Sequence, residues 1–210
     1  MTATDSNSIH ARIAALATEA EQCTRCGLVK TRNKFVFGEG NPVTPMVFVG
    51  EGPGETEDQT GRPFVGRAGL LLDECMREVK ITRKHVYVCN VVRCRACVMD
   101  GGRLKNRPPT TDEAGACEPW LRRTLEIIKP LVIVCLGGPS ASTLIHSDFK
   151  ITRERGHFYE TVYGPIAMAT WHPSYVIRQE GAAFAQVRAQ LVADIDAARR
   201  KVIELRKAAG

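Results

Sequence analysis

Four short apolar runs limit the possible folds of this 210-residue chain more than any other feature. Strands that are apolar at almost every position are typical of parallel sheets covered on both faces. Helical patterns separate the runs, at about 67–80, 111–129 and 139–146. The sequence therefore predicts an α/β fold, a three-layer α/β/α sandwich around about four parallel strands. The runs are "MVFVG" (46–50), "HVYVCNVV" (85–92), "LVIVCLG" (131–137) and "IAMAT" (166–170).

Two further helices and one long loop complete the predicted order of elements. An amphipathic pattern covers residues 8–21, and a long helical pattern covers 182–207. The stretch "RACVMDGGRLKNRPPTT" has no such pattern and is interpreted as a surface loop. No internal repeat divides the chain, so we expect one domain over residues 1–210, with its core at about 23–180.

The composition narrows the location and the partner of the protein. No apolar run approaches the ~20 residues that a membrane span requires, and the N-terminal segment lacks the basic and apolar regions of a secretory signal. We therefore expect a cytoplasmic protein. A net charge of +6 and a pI near 9.0 favour a polyanionic partner. An ordinary solvated basic surface is the alternative.

All four predicted strands end in glycine-rich or polar residues. The carboxyl ends of parallel strands meet at one edge of the sheet, and ligands of open α/β sheets bind there. We therefore expect a pocket at this edge. The four strand ends read "GEGPG", "NVVRC", "GGPS" and "WHPSY".

The first of these ends, "GEGPGETEDQTGRPFVG", is unlike a phosphate-binding loop. It lacks the Lys-Ser/Thr pair of a P-loop, and Pro53 has no N–H to donate. Its acids, Glu51, Glu55, Glu57 and Asp58, would repel a phosphate. A carboxylate just past a strand end can instead orient a water or stabilise a developing cation. The alternative is that the glycines only form a tight turn.

Three other side chains at this edge are candidates for binding or catalysis. His172 follows the fourth strand, where it can donate a hydrogen bond to a leaving group that gains negative charge. Asn90 is polar within an apolar strand, and its amide suits a donor–acceptor edge such as a base presents. Phe64 is either a core aromatic or a platform on which a ring stacks. A structural histidine is the alternative for His172.

The eight cysteines are not equivalent. Cys75, Cys89 and Cys135 lie in apolar helical or strand patterns and are interpreted as core residues. The others have metal-ligand spacing: two Cys-x-x-Cys pairs and one distant cysteine. Spacing alone permits a site of Cys23, Cys26, Cys94 and Cys97, and both zinc and an iron–sulfur cluster accept four thiolates. Unliganded thiols are the alternative.

Together these segments resemble the uracil-DNA glycosylase superfamily, and most closely its family 4, the iron–sulfur-containing bacterial and archaeal enzymes. The resemblance runs from about Cys23 to Arg178. It implies an enzyme of DNA repair that flips uracil out of single- or double-stranded DNA and hydrolyses its N-glycosidic bond, leaving an abasic site. The matching segments, in order, are "CTRCGL", "VFVGEGPGETEDQTGRPFVGRAGLLL", "VYVCNVVRCR", "NRPP…C", "LGG" and "HPSYVIR".

The resemblance also implies roles for individual residues. Glu51, Gly52 and Pro53 match the turn that faces the uracil and the water, and Glu51 and His172 are the expected catalytic residues. Phe64 matches the aromatic that stacks on the base, Asn90 the amide that reads its edge, and His172 the histidine that contacts it. Cys23, Cys26, Cys94 and Cys117 match the ligands of a [4Fe–4S] cluster, so the family favours Cys117 over Cys97.

One segment departs from family 4. The chain inserts "RACVMDGGRLK" after Cys94, as the related type X proteins do, but those carry a loop histidine that bonds covalently to the abasic sugar. No histidine lies between Cys94 and Cys117 here, so we expect an enzyme that turns over. A monomer is the default expectation for its oligomeric state. A type X-like protein that traps its product and a non-catalytic DNA-binding module are the alternatives. The basic residues Arg103, Lys105 and Arg107 either grip DNA phosphates or are simply solvated.

Overall fold

A six-stranded sheet forms the middle layer of the protein, whose computed structural model describes residues 3–164 and 166–208. Strands β3, β2, β6 and β8 are adjacent and parallel, and the short strands β1 and β7 add antiparallel edges. The prediction of four parallel strands is therefore confirmed. The strands are β1 (Glu39–Gly40), β2 (Met46–Gly50), β3 (Tyr87–Asn90), β4 (Cys97–Asp100), β5 (Arg103–Asn106), β6 (Val132–Leu136), β7 (Phe158–Tyr159) and β8 (Ile166–Thr170).

Helices cover both faces of this sheet, as the apolar strands predict. Two 3₁₀ turns, Gly27–Lys30 and Arg83–His85, connect them to strands. The predicted helices at 67–80, 111–129, 139–146 and 182–207 are all present, while the first begins earlier than residue 8. The helices are α1 (Ala3–Glu21), α2 (Glu55–Thr60), α3 (Arg67–Glu78), α4 (Thr111–Ile128), α5 (Gly138–Leu144), α6 (Ile151–Glu154), α7 (Pro173–Ile177) and α8 (Gly181–Ala208).

The core is divided by the sheet into two apolar layers. Alternate residues of β2 point to opposite faces, so Val47 and Val49 pack with α1, α4 and α5, whereas Met46 and Phe48 pack with α3 and α8. Both layers are made of buried aliphatic and aromatic side chains. This is the three-layer α/β/α arrangement that the sequence predicts.

The inserted segment is a β-hairpin, so its interpretation as a surface loop was wrong. Strands β4 and β5 pair antiparallel, with Cys97 opposite Asn106 and Asp100 opposite Arg103. Gly101 and Gly102 form the turn, with φ of +58° and +75°. A two-residue hairpin turn of this kind needs positive φ at both positions, which glycine adopts without steric cost.

The sheet brings the strand ends to one edge, as expected for parallel strands. Gly50 at the end of β2 lies opposite Asn90 at the end of β3. The chain continues from these residues to Glu51 and to Cys94, and α7 begins directly after His172. Within the described ranges, no helix is long and apolar enough to cross a membrane.

Candidate active site and cysteine cavity

A pocket opens at the carboxyl edge of the sheet. Its volume is about 580 Å³. Its walls come from the loops that follow all four parallel strands and from the loop before α3. The structure thus brings together every residue that the sequence placed at the site: Glu51, Gly52, Pro53, Phe64, Asn90 and His172.

Glu51 offers the pocket an unpaired, half-buried carboxylate. Its backbone carbonyl accepts a hydrogen bond from the N–H of Val92 at 3.0 Å, which fixes the residue beside the end of β3. Its carboxylate makes no hydrogen bond to any described residue. Burial raises the pKa of Glu51 above its ordinary value of 4.5. The group is therefore held in place by its backbone, while its oxygens remain available to a ligand.

Asn90 presents a buried amide whose oxygen is unpaired. The side chain is 1% exposed, and its Oδ1 has no hydrogen-bond partner among the described residues. Buried polar atoms are normally paired, so such an atom in a pocket wall indicates a place for a ligand donor. Gly50 makes room for it, because a Cβ there would lie 2.5 Å from Oδ1 and 2.4 Å from the Phe64 ring.

Phe64 is held in a strained backbone conformation that turns its ring into the pocket wall. Its φ is +52°, which is unfavourable for a bulky side chain. Arg83 stabilises this turn by donating to the carbonyls of Pro63 and Phe64, and it also pairs with Asp73 at 2.8 Å. The Phe64 and His172 rings lie 6.0 Å apart between centroids and are tilted by 34°.

His172 is built as a neutral hydrogen-bond donor. The backbone N–H of Ser174 donates to its Nδ1 at 3.0 Å, so the proton of the neutral ring lies on Nε2. Burial first, and then the nearby charge of Arg178, lower the pKa of His172 to about 4. An imidazole in this environment is uncharged at neutral pH. It can therefore donate from Nε2 without carrying a charge into the pocket.

Two of the acids near Glu51 stabilise the local structure through hydrogen bonds, a role that the sequence did not reveal. Glu57 accepts hydrogen bonds from the backbone N–H groups of Gly54, Val65 and Gly66, at 3.1, 2.9 and 2.8 Å. It thus ties the turn after β2 to the turn that carries Phe64. Asp58 is buried and binds both the backbone and the side-chain amide of Asn33. Of the four acids, only Glu51 is left with a free carboxylate facing the pocket.

Sequence reasoning missed three further pocket residues around His172. Trp171 and Tyr175 stack with ring centroids 4.8 Å apart, and Arg178 lies beside them. Tyr175 is 36% exposed, so this end of the pocket offers an aromatic surface to a partner. The signal was present in "WHPSYVIR", where two aromatics and an arginine surround the histidine.

A second, smaller cavity is lined by cysteines. Cys23, Cys26, Cys94 and Cys117 border a narrow cavity of about 10 Å³ between the 3₁₀ turn after α1, the end of β3 and α4. Cys97 is not among its lining residues, since it begins the hairpin instead. The cysteines interpreted as core residues, at positions 75, 89 and 135, are fully buried in the apolar layers.

The donor set fits a thiolate-bound iron–sulfur cluster. Sulfur atoms of Cys23, Cys94 and Cys117 accept hydrogen bonds from Trp120 Nε1, Arg32 Nη1 and the backbone N–H of Arg93, at 3.2, 3.4 and 3.3 Å. Such bonds stabilise thiolates and tune clusters. No three His, Cys, Asp or Glu side chains of the described residues converge on one ion position.

The matching family model and the similar curated proteins all point to the same protein family. The family model of the uracil DNA glycosylase superfamily matches residues 37–196. A type-4 uracil-DNA glycosylase of Thermotoga maritima is 46% identical over 164 residues, which cover 78% of this chain and 82% of that protein. Enzymes of the same name from Archaeoglobus fulgidus and Saccharolobus solfataricus are each 40% identical, over 77% and 76% of this chain and 81% and 74% of theirs.

The close packing of α3 against the Phe64 turn predicts opposite effects for two helical glycines. A Cβ on Gly69 would lie 1.7 Å from the Phe64 carbonyl oxygen, so Gly69→Ala should lower the free energy of unfolding by about 1–3 kcal/mol. Gly115, in α4, has no atom within 4 Å of such a Cβ, and Gly115→Ala should raise it by about 0.5–1 kcal/mol. Urea unfolding measures both. Equal stability of the two variants would contradict the role assigned to Gly69.

Proposed function

This chain belongs to the uracil-DNA glycosylase superfamily, and from this premise we propose how its pocket acts. It is a DNA repair glycosylase, an enzyme that hydrolyses the N-glycosidic bond of uracil in DNA. The observation that carries the proposed residue roles is the unpaired Oδ1 of Asn90, which lies beside the Phe64 ring in the pocket wall. The substrate enters by flipping, because the bond is inaccessible within the duplex stack.

Asn90 and Phe64 recognise the flipped base. Uracil presents an N3–H donor beside the O4 acceptor, and the Asn90 amide can accept from the first and donate to the second. Cytosine presents an acceptor at N3 and an amino donor at position 4, so it would leave both amide groups facing like partners. The Phe64 ring supplies a face on which the base stacks. Recognition therefore rests on one amide edge and one ring face.

His172 and Glu51 act on opposite sides of the breaking bond. The electrons of the C1′–N1 bond pass to uracil, which becomes an anion, while C1′ becomes an electron-poor oxocarbenium centre. The Nε2–H of His172 donates to the oxygen on which negative charge develops. The Glu51 carboxylate stabilises the sugar and holds the water whose oxygen bonds to C1′. The water gives up one proton as its oxygen bonds to C1′, and the uracil anion takes up one proton, so the products are free uracil and an abasic site.

The cysteine cavity holds a [4Fe–4S] cluster in this proposal. Cys23, Cys26, Cys94 and Cys117 are the ligands, as the donor set and the cavity favour. When bound, the cluster supplies a covalent link between segments that are distant in sequence. Residues 90–94 join Asn90 to the ligand Cys94, so the same short segment serves the pocket and the cluster.

Replacing the Glu51 carboxylate tests the proposed function. Glu51→Gln keeps the side-chain shape but removes the negative charge, so single-turnover cleavage of uracil-containing DNA should fall about 10²–10⁴-fold. Binding to the same DNA should change little. Glu126→Gln is the matched control, because Glu126 is exposed on α4 and does not line the pocket. Alkali-treated gels measure the cleavage.

Three results of this experiment would contradict the proposal. Equal cleavage rates for the parent and Glu51→Gln would remove the catalytic role of Glu51. A covalent protein–DNA band on a denaturing gel would indicate a protein that traps its product. Binding of uracil-containing DNA without cleavage by the parent would indicate a non-catalytic module.

The pKa shifts of the two proposed catalytic residues, upward for Glu51 and downward for His172, predict the pH profile. Activity needs ionised Glu51, whose pKa is raised, so cleavage is present above that pKa and is lost as the pH falls through it. His172 is already neutral above about pH 4, so it adds no transition near the ordinary histidine value of 6.5. We expect one acid limb, centred above 4.5. Single-turnover rates at subsaturating enzyme measure it, and a second, separate transition near 6.5 would contradict the neutral His172.

The hairpin is the proposed contact with DNA next to the flipped nucleotide. It rises directly from the pocket rim, where Ala96, Asn106 and Arg107 line the wall. Of its basic residues, Arg107 is held by Glu113 at 2.6 and 2.7 Å, so that guanidinium is committed to the protein. Lys105 pairs with Asp100 only at the exposed surface, where such pairs are weak. Arg103 and Lys105 are therefore the residues placed to meet phosphates.

Removing these two charges should weaken DNA binding in a salt-dependent way. In R103A/K105A the affinity should fall for every sequence alike. The slope of log affinity against log salt, which is negative, should become less negative by about 0.9 for each lost contact with duplex DNA. The double variant R206A/K207A, at the exposed end of α8, removes the same charge far along the chain and is the control. Fluorescence anisotropy at several salt concentrations measures both. Equal slopes in the two double variants would indicate a merely solvated hairpin.

A further inference from the structure

Arg93 is an arginine that the fold buries completely. It lies between Asn90 and Cys94 and is 0% exposed. Its guanidinium donates to the carbonyl of Phe37 and, at 3.4 Å, to the hydroxyl of Thr124, and it stands 5.2 Å from the Phe37 ring centroid. Its Nε has no hydrogen-bond partner among the described residues. The partners that it does have are all uncharged.

No carboxylate of the described residues pairs with this buried charge. Arg95, two residues further on and 4% exposed, shows the usual solution, since it binds Glu55 at 3.4 Å and Asn106 at 2.6 Å. A buried charge without an opposite charge is strongly destabilising, and neutral hydrogen bonds offset only part of that cost. Arg93 therefore needs a negative charge that the protein's carboxylates do not supply.

The backbone of Arg93 instead adjoins two cysteines. Its N–H donates to Cys117 Sγ at 3.3 Å, and the next residue in the chain is Cys94. Cys117 and Cys94 both line the cysteine cavity. The missing negative charge is thus most directly available from a group held in that cavity.

We propose that Arg93 is the buried counter-cation of the iron–sulfur cluster, so that its charge stabilises the loaded protein and destabilises the cluster-free protein. This inference rests on the proposed cluster. A cluster with four thiolate ligands carries a net negative charge. In a low-dielectric interior this charge and the Arg93 guanidinium attract each other without direct contact. Arg32, which donates to Cys94 Sγ at 3.4 Å, adds a second positive charge from the partly exposed side.

The loss of the cluster would also affect the active site, because backbone hydrogen bonds connect the Arg93 segment to Glu51. The N–H groups of Val91 and Val92 donate to the carbonyls of Gly50 and Glu51, at 2.8 and 3.0 Å. When the cluster is lost, the uncompensated charge of Arg93 destabilises the segment that holds both Asn90 and Glu51. Cluster loading thereby controls the order of the uracil pocket, although the cluster takes no part in the cleavage.

Three variants and two forms of the protein test this proposal. Arg93→Met removes the charge and keeps an apolar chain of similar length, and Arg93→Lys keeps the charge. Arg95→Met is the control, because it removes a buried arginine that already has a carboxylate partner. The parent should contain iron and absorb near ~400 nm when purified without oxygen. Iron release to a chelator, thermal unfolding of loaded and cluster-free protein, and the midpoint potential of the cluster are measured for each.

The expected effects of Arg93→Met have opposite signs in the two forms. The loaded variant should lose iron about tenfold faster than the parent, and its cluster potential should shift to more negative values, because one nearby positive charge is gone. The cluster-free variant should unfold at a higher temperature than the cluster-free parent. Arg93→Lys should stay close to the parent in all three measurements. Arg95→Met should lower the unfolding temperature of both forms without shifting the potential.

Several results would overturn the proposal. A cluster-free Arg93→Met chain that unfolds at a lower temperature than the cluster-free parent, or does not fold, would show that Arg93 acts only through its hydrogen bonds. An unchanged midpoint potential and an unchanged rate of iron release would show that the charge of Arg93 does not act on the cluster. If the cluster-free parent does not fold, the midpoint potential of the loaded Arg93→Met variant alone decides between the two outcomes. A parent with stoichiometric zinc and no iron would instead overturn the proposed cluster, whatever its uracil-DNA cleavage.

Discussion

Past the last paired residues of β2 and β3, the N–H groups of Val91 and Val92 donate to the carbonyls of Gly50 and Glu51, at 2.8 and 3.0 Å. Through these bonds the parallel pairing of the two segments continues past the ends of the strands, and it places Glu51 beside Asn90. All residues from 86 to 97 are buried, so this register is fixed by packing on both faces. A slip of one residue would turn Asn90 to the opposite face. The pocket and the cysteine cavity therefore depend on one alignment of two strands.

That same segment contains both unpaired buried side-chain polar atoms of the described residues, Asn90 Oδ1 and Arg93 Nε. A folded protein normally pairs such groups, because an unpaired buried donor or acceptor is destabilising. Each of the two belongs to a residue beside a cavity for which an independent argument proposes a ligand. The acceptor in the pocket wall has the polarity that an imide N–H requires, and the cation next to the cysteine ligands has the sign that a thiolate cluster requires. Chemical complementarity thus favours a base with an imide N–H in the pocket and a negatively charged thiolate cluster in the cysteine cavity.

Local patterns explain which features the sequence predicted. Continuous apolar runs predicted the four parallel strands, and their order placed six site residues at one edge, where they line a single pocket. The two-residue edge strands β1 and β7 are too short to produce a pattern. The sequence does contain a signal for the hairpin, a Gly-Gly pair between two segments of strand length. The prediction of a loop overlooked this signal. The structural work of Glu57 was not predictable, since its partners at 65 and 66 are fixed by the strained turn at Phe64.

Burial in one pocket shifts the two proposed catalytic groups toward their neutral forms, yet the reaction needs only one of them neutral. His172 is enclosed by its helix and by the Phe64 side of the wall, and a neutral ring with its proton on Nε2 is the form that donates. Glu51 is only partly buried, and burial raises its pKa, whereas its proposed role needs the ionised form. The same loss of water strengthens the attraction between that carboxylate and an electron-poor sugar. The depth at which each side chain sits therefore separates the roles: the deeper one supplies a proton donor without charge, and the shallower one supplies the charge.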